Sequence, residues 1–145
     1  AGMDVLDIPG VTDGPDNDYA AQAEGALKAL DGHDLVVVHV EAPDEAGHGG
    51  DADAKIAAIE AIDREILARF CRYEGGLKML VLPDHPTPIG LRTHTADPVP
   101  FLMTAPGEGG GTARFTEARA AATGVFIDPG YTIMGKFLGK AAGED

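Results

Sequence analysis

The sequence has one cysteine, no serine, and only 11 lysines and arginines among its 145 residues. A lone cysteine, Cys71, excludes an internal disulfide and fits a reducing compartment, which we expect to be the cytoplasm. No apolar run approaches the roughly 18 residues that a membrane span needs, and no signal peptide opens the chain. We therefore expect neither membrane insertion nor secretion.

Positive charge is scarce, and this limits the possible partners. The 24 acidic residues give a formal net charge of −13, and the basic residues form no cluster. Such a field repels nucleic acids and anionic membranes, so neither is expected as a partner. A small anionic substrate would need cations to offset the repulsion, and bound metal ions could supply them.

Strand-like and helix-like segments alternate along the chain. Strands are predicted at residues 3–8, 35–40, 77–82 and 99–103, and the second and third read as strands covered on both faces. Helices are predicted from Asp16 or Asn17 to about residue 30, over 53–72, from Thr116, and over 131–138. This order indicates an α/β fold with a largely parallel sheet flanked by helices. We expect one domain over residues 1–145, with a flexible glycine-rich loop at about 106–115.

The helix over residues 53–72 has the clearest apolar periodicity. Its predicted buried face comprises Ile56, Ile59, Ile62, Ile66, Leu67 and Phe70. Cys71 follows near its end, and we expect a buried or half-buried structural thiol there.

Three histidines lie in short polar segments that follow or lie between the predicted strands. His48 lies in Glu41-Ala-Pro-Asp-Glu-Ala-Gly-His48, His85 directly follows Asp84, and His94 lies between two threonines. Proline and glycine predict a loop for the first segment, so Asp44 and His48 are not expected one helical turn apart. Imidazole and carboxylate are the ligands of Zn²⁺, Mn²⁺ and similar cations. Ligands of open α/β sheets bind beyond the carboxyl ends of strands, so together these residues indicate a metal site.

Each of these residues alone has an ordinary interpretation as a surface group. Glu41 and Glu45 are either acceptors that orient imidazoles or solvated loop charges. Arg92 is equally a candidate for binding a phosphate or carboxylate and a surface arginine. His39 lies in a predicted buried strand and is expected to be a satisfied core histidine, whereas His33 is expected to be exposed.

Three ordered motifs carry a resemblance to a known family. The segments Val38–His48, Leu82-Pro-Asp-His-Pro-Thr-Pro88 and Thr93-His-Thr-Ala-Asp-Pro-Val-Pro100 resemble the archaeal-type 2,3-bisphosphoglycerate-independent phosphoglycerate mutases. These enzymes belong to the alkaline phosphatase superfamily. The resemblance extends to about residue 105 and implies the C-terminal portion of an alkaline-phosphatase-like layered domain.

The resemblance implies two divalent metal ions, Mn²⁺, Mg²⁺ or Zn²⁺, and no bisphosphoglycerate cofactor. One metal would be held by Asp44, His48 and His94. The other would be held by Asp84 and His85, together with an aspartate and a nucleophilic serine that the family carries far upstream. Because this sequence contains no serine, the segment is expected to carry five metal ligands, with Arg92 as a substrate contact, and to be inactive alone.

Three functions follow from these motifs, in decreasing order of preference. The first is a mutase that interconverts 3- and 2-phosphoglycerate through a phosphoserine intermediate. The second is a related phosphotransferase or phosphonopyruvate decarboxylase with the same metal residues. The third is a non-catalytic metal-binding or half-site subunit. The sequence begins without methionine, which fits a processed protein or a piece of a longer one. A partial domain would expose sheet edges and apolar surface, so some self-association is expected.

Overall fold

The computed structural model describes residues 2–105 and 114–139, which form a mixed α/β structure with a small antiparallel sheet. The chain divides into two compact units. The first, unit 1, comprises Ala1–Gly75 and Thr87–Thr95, and the second, unit 2, comprises Gly76–Pro86 and Ala96–Asp145. The loop predicted at 106–115 lies outside the described residues, except for residues 114 and 115.

Unit 1 is helical. Its elements are α1 (Tyr19–Ala29), α2 (Ala42–Gly49), α3 (Ala52–Ala61), a π-helical turn (Ile62–Leu67) and α4 (Ala68–Phe70). The last three follow one another without a break and confirm the helix predicted over 53–72. None of the helices that the structure describes is long and apolar enough to cross a membrane.

Helix α1 begins two or three residues later than the sequence indicated. Its N-cap is Asp18, whose Oδ1 accepts a hydrogen bond from the N–H of Ala21 at 2.9 Å. Asn17 does not cap the helix, because its Oδ1 accepts from the N–H of Thr12 at 3.0 Å while its amide nitrogen donates to Gln22 Oε1 at 3.0 Å. Gln22 in turn donates to the carbonyl of His39 at 2.6 Å. These buried amides connect α1 to the segment at residues 35–40.

The segment at residues 35–40 has no strand, although its β-branched run predicts one. A strand is defined by backbone pairing, and within the described chain only the two short strands of unit 2 pair. The segment is anchored instead by the Gln22 side chain and by Val38 and Val40, which pack on the core. The prediction of a core histidine here was wrong, because the side chain of His39 is 67% exposed.

The core of unit 1 is built mainly from small side chains. Its buried members are Tyr19, Ala23, Ala42, Ala58, Ala61 and Ile66, with Val38, Val40, Ile62 and Phe70 packed against them. Alanine lets helices approach closely, because its side chain is small. Burial of Tyr19 raises the pKa of its phenol. The predicted face of α3 was wrong at Ile56 and Ile59, which are exposed, because Ala58 and Ala61 face the core instead.

The π-helical turn determines which residue after Ala61 is the next one buried in the core. In an α-helix the residue four positions on, Glu65, would take that place. A π-turn spaces equivalent positions by about five residues, which brings Ile66 to the core with 3% exposure. Burying an isoleucine contributes about 1.5–3 kcal/mol. Glu65 is left to pair with Arg69 Nη1 at 2.5 Å, and this bond lowers the pKa of its carboxyl.

Unit 2 contains the only sheet of the described chain. Strands β1 (Met79–Val81) and β2 (Leu102–Thr104) pair antiparallel, with Met79 opposite Thr104 and Val81 opposite Leu102. Both strands confirm predicted positions but are shorter and half-buried. Antiparallel pairing differs from the parallel arrangement that the alternation of segments suggested.

The C-terminal part of unit 2 is helical. It holds α5 (Glu117–Ala122), a 3₁₀ turn (Gly130–Thr132) and α6 (Ile133–Phe137). The predicted cap is confirmed, because Thr116 Oγ1 accepts from the N–H of Arg119 at 3.3 Å. Lys78 donates to the carbonyl of Phe137 at 2.5 Å, with its ammonium 5.3 Å from the Phe137 ring centroid. Lys78, which precedes β1, is thereby tied to α6.

Candidate metal centre

Helix α2 places Asp44 and His48 one turn apart, so the prediction of a loop was wrong here. Proline is compatible with a first helical turn, where Pro43 lies, because the N–H that it lacks has no intrahelical partner there. Gly50 ends the helix in the left-handed conformation, with φ 71°. Residues four apart share a helix face, so the carboxylate of Asp44 and the imidazole of His48 point the same way.

The segment at residues 87–95 of the same unit adds a third ligand-type group. His94 Nε2 lies 3.0 Å from His48 Nε2 and 3.5 Å from Asp44 Oδ1. His48 Nε2 lies 3.3 Å from Asp44 Oδ2. The three side chains are partly exposed, at 23% for Asp44, 38% for His48 and 50% for His94. Three predicted ligands therefore converge within unit 1.

The spacing of these atoms fits a bound divalent cation. Ligand bonds of about 2.0–2.1 Å put neighbouring ligand atoms roughly 3.3–3.4 Å apart in a tetrahedron and about 2.8–3.0 Å apart in an octahedron. The 3.0 Å between the two Nε2 atoms and the 3.3 Å from His48 Nε2 to Asp44 Oδ2 fall within these ranges, and the other carboxylate oxygen, Oδ1, lies 3.5 Å from His94 Nε2. Two imidazoles with one carboxylate are also a donor set that such ions accept in proteins.

A hydrogen bond from the first imidazole fixes its tautomer. His48 Nδ1 lies 3.1 Å from the carbonyl oxygen of Arg92, and a carbonyl can only accept. The proton of neutral His48 is therefore on Nδ1, which leaves the Nε2 lone pair directed at His94 and Asp44. A proton on either Nε2 or a bound cation relieves the repulsion between the two facing nitrogens. Metal-binding histidines are commonly oriented by a bond of this kind.

The backbone of Arg92 is strained where it supplies this carbonyl. Its φ of 54° lies in the left-handed region, which costs a residue with a side chain about 1–3 kcal/mol. The Arg92 side chain lies over the C-terminal end of α2, where a Cβ built on Gly50 would be 2.4 Å from Nε. A guanidinium is stabilised there by the negative end of the helix dipole. Glycine at position 50 thus meets two needs, a positive φ and the close approach of Arg92.

Two contacts to this centre come from residues that the motifs did not single out. Thr87 Oγ1 donates a hydrogen bond to Asp44 Oδ1. The Lys55 ammonium donates to the carbonyl of Thr87 at 2.7 Å. Thr87 lies within the Leu82–Pro88 motif, but nothing in its spacing indicates a partner 43 residues earlier. The Arg92 carbonyl was missed for the same reason, since backbone groups have no sequence signature.

Unit 2 brings the remaining two predicted ligands together. Asp84 and His85 follow β1, and His85 Nε2 lies 3.2 Å from Asp84 Oδ2. The N–H of His85 donates to Asp84 Oδ1 at 3.0 Å, which folds the aspartate back on its neighbour. Both side chains turn the same way, as a strand end permits.

The other candidates have surface positions. Glu41 Oε1 lies 3.3 Å from His39 Nε2, so this carboxylate partners an exposed imidazole. His33 is exposed, as predicted, whereas the prediction for Cys71 was wrong because the thiol is exposed.

Comparison with known proteins matches residues 1–141 to the Metalloenzyme superfamily. A Geobacter sulfurreducens protein named as a probable 2,3-bisphosphoglycerate-independent phosphoglycerate mutase is 40% identical over 97% of this chain and 36% of its own length. The Methanosarcina acetivorans 2,3-bisphosphoglycerate-independent phosphoglycerate mutase is 48% identical over 71% of this chain and 27% of its own. The chain thus spans about a third or less of these relatives.

A solved structure resembles nearly the whole chain. The PH0037 protein from Pyrococcus horikoshii superposes with a TM-score of 0.81 and 26% sequence identity. The match covers 99% of this chain and 45% of that protein.

Proposed function

The chain belongs to the Metalloenzyme superfamily, and from that premise we propose that it is part of a metal-dependent, 2,3-bisphosphoglycerate-independent phosphoglycerate mutase. The observation that carries the proposal is the convergence of Asp44, His48 and His94 at distances that fit a divalent cation. The names of the mutase relatives support the choice of reaction. The proposal includes a cytoplasmic location and the alkaline-phosphatase-like layered fold with its largely parallel sheet.

The chain would hold two divalent ions. Asp44, His48 and His94 would bind one, and Asp84 and His85 would supply part of the ligand set of the other. Imidazole donors favour Zn²⁺, carboxylates shift the preference towards Mn²⁺ and Mg²⁺, and the mixed donor sets accommodate each of these ions. A formal net charge of −13 favours cation binding generally.

The reaction would interconvert 3-phosphoglycerate and 2-phosphoglycerate in two steps. The phosphoryl group would pass from the 3-hydroxyl oxygen to a serine oxygen, and then from that phosphoserine to the 2-hydroxyl oxygen. Bound metals supply charge neutralisation for the phosphoryl oxygens and a lowered pKa for the nucleophile. Because this sequence has no serine, the nucleophile must come from outside it, and the segment alone would be inactive.

The role of the remaining residues follows from their positions. The His48 imidazole would present Nε2 while the Arg92 carbonyl holds its Nδ1 proton. The exposed Arg92 guanidinium would bind the phosphate or carboxylate of the substrate, and planar guanidinium groups do so with two parallel hydrogen bonds. No bisphosphoglycerate would be needed, since the phosphoryl group is carried by serine.

Metal titration of the protein tests the proposed centre directly. We expect calorimetry to show Mn²⁺ and Zn²⁺ binding, and we expect His48→Ala and His94→Ala each to weaken it by about 100-fold or more. His33→Ala is the matched control, because it removes an exposed imidazole that contacts Asp4 instead of Asp44. Equal metal binding by all four proteins would overturn the metal centre.

Activity separates the mutase from its alternatives. A longer protein that carries this segment and a serine should interconvert the two phosphoglycerates and lose that activity to a chelator. Turnover of another phosphate ester or of phosphonopyruvate instead would assign a related enzyme. Metal binding without any turnover would favour a half-site subunit, the candidate that the absence of serine supports.

A further inference from the structure

We propose that Thr87 is a positioning residue that holds the Asp44 carboxylate so that it binds metal through one oxygen, Oδ2. The inference rests on the metal centre proposed above and concerns two side chains outside its ligand set, Thr87 and Lys55.

The hydroxyl of Thr87 engages one of the two carboxylate oxygens. Thr87 is 4% exposed, and its Oγ1 donates to Asp44 Oδ1, since an ionised carboxylate can only accept. The β-branched side chain of threonine is stiff about χ1, so a buried threonine keeps its hydroxyl in place. Oδ2 faces His48 Nε2 at 3.3 Å, whereas Oδ1, which accepts the threonine hydrogen bond, lies 3.5 Å from His94 Nε2.

The backbone of Thr87 is held in turn by α3. The Lys55 ammonium donates to the Thr87 carbonyl at 2.7 Å. This carbonyl lies against α2, because a Cβ built on Gly47 would be 2.7 Å from its oxygen and 3.0 Å from Lys55 Nζ. Glycine at position 47 therefore leaves the room in which Lys55 reaches Thr87. Asp44, Thr87 and Lys55 form a continuous chain of contacts from the ligand to α3.

A carboxylate held in this way favours some cations over others. Zn²⁺ takes few ligands at about 2.0–2.2 Å, and one carboxylate oxygen with two imidazole nitrogens suits it. Ca²⁺ takes six to eight oxygen ligands, often with both oxygens of a carboxylate. A hydrogen bond on Oδ1 disfavours two-oxygen binding, so Thr87 should increase the preference for Zn²⁺ over Ca²⁺.

Titrations of wild type, Thr87→Val and Thr87→Ser with Zn²⁺ and Ca²⁺ test the inference. We expect Thr87→Val to bind Zn²⁺ about tenfold more weakly, the lower end of the effect of removing a group that orients a ligand. Its Ca²⁺ affinity should change less, so the Zn²⁺/Ca²⁺ affinity ratio falls. Thr87→Ser keeps the hydroxyl and should restore both the ratio and the visible spectrum of the Co²⁺-loaded protein.

The chain offers a matched control in Thr12. Its Oγ1 donates to Asp16 Oδ1 at 2.8 Å, so Thr12→Val removes a threonine–aspartate bond in the same unit that does not involve Asp44. This variant should keep the wild-type Zn²⁺/Ca²⁺ ratio. Lys55→Met removes only the bond to the Thr87 carbonyl and should lower Zn²⁺ affinity by a smaller factor. If Thr87→Val does not fold, the Zn²⁺ affinity of Lys55→Met tests the role of Thr87 in its place.

The outcomes separate this inference from the proposed function. Wild-type protein that binds no metal overturns both. Wild-type protein that binds Zn²⁺ while Thr87→Val and Lys55→Met bind it equally well, with unchanged ratio and spectrum, overturns the role of Thr87 and leaves the metal centre intact. A Thr87→Ser variant that behaves like Thr87→Val would likewise exclude the hydroxyl as the cause.

Discussion

Among single residues, His33 provides a clear pH-dependent contact. Its Nδ1 lies 2.9 Å from the carbonyl of Ala29 and its Nε2 lies 3.4 Å from Asp4 Oδ2. The hydrogen bond to Ala29 and then that to Asp4 raise its pKa above the ordinary 6.5. The protonated form is favoured by folding, so the stabilisation is complete below pH 6.5 and is lost as the pH rises through the folded pKa. Titration of the imidazole by NMR should give a value above 6.5.

Substitution of the partner separates the two causes of this shift. Asp4→Asn should lower the pKa of His33 only in part, because the hydrogen bond to the Ala29 carbonyl, the largest single cause of the rise, remains. Asp34→Asn removes the last of the contributions and should change the pKa least. A folded-state value at or below 6.5 in wild type would contradict the observed contacts.

Residue types were predictable at the candidate site, whereas their supporting contacts were not. Histidines and aspartates in short motifs indicated Asp44, His48 and His94, because few side chains can bind such metals. The Thr87 hydroxyl and the Arg92 carbonyl were missed, since both depend on contacts more than 40 residues apart in sequence. The positive φ of Arg92 was equally invisible, because arginine has no preference for that conformation.

Among the helices, α3 depends on its N-cap. Asp51 Oδ1 accepts from the N–H of Ala54 at 2.9 Å, and α3 carries Lys55 towards Thr87. Asp51→Ala should lower the free energy of unfolding by about 1 kcal/mol, because an N–H at the helix start loses its acceptor. Urea denaturation followed by circular dichroism measures this change.

A conservative variant provides the control for the cap. Asp51→Asn keeps an oxygen that can accept the same bond and should stay close to wild type. If Asp51→Ala and Asp51→Asn unfold at the same urea concentration, the cap makes no contribution to stability.

Helix positions were easier to predict than helix faces. The long apolar pattern at 53–72 gave one continuous helix, but its isoleucines suggested a face that includes Ile56 and Ile59. Alanines were underestimated because close packing of helices favours small side chains that carry little hydrophobic signal. In α2, glycine and proline suggested a loop, although both occupy helix ends where they are tolerated.

The molecule as a whole combines a strong negative charge with exposed apolar side chains. Val5 is 94% exposed and Tyr131 84%. At low salt the net charge of −13 should keep copies apart, and at high salt the screening length falls from about 10 Å at 0.1 M to about 3 Å at 1 M. We expect the average mass from light scattering to rise with protein concentration, and to rise further with added NaCl.

Reducing an exposed apolar side chain tests the cause of this association. In Val5→Ser the rise in average mass should begin at a higher protein concentration, while the net charge stays the same. A constant monomer mass at every salt and protein concentration would contradict the prediction.

Fold class could be inferred from the alternation of segments, but sheet topology could not. The strands at 77–82 and 99–103 were found near their predicted positions, as Met79–Val81 and Leu102–Thr104. Pairing direction depends on which strands become neighbours, and a single sequence does not state this. The segment at 35–40 shows the same limit, because a β-branched run becomes a strand only when a neighbour is available.

The π-helical turn at Ile62–Leu67 has a consequence for sequence alignment. It contains one residue more than an α-helical turn. The core-facing positions before the turn and those after it are therefore offset by one residue relative to an uninterrupted α-helix. A homologue with an uninterrupted α-helix would keep both registers only if one position were deleted inside the turn. An alignment method that forbids gaps within helices would misalign the residues on one side of the turn by one position. It would then align Glu65 of this chain with the core position of that homologue.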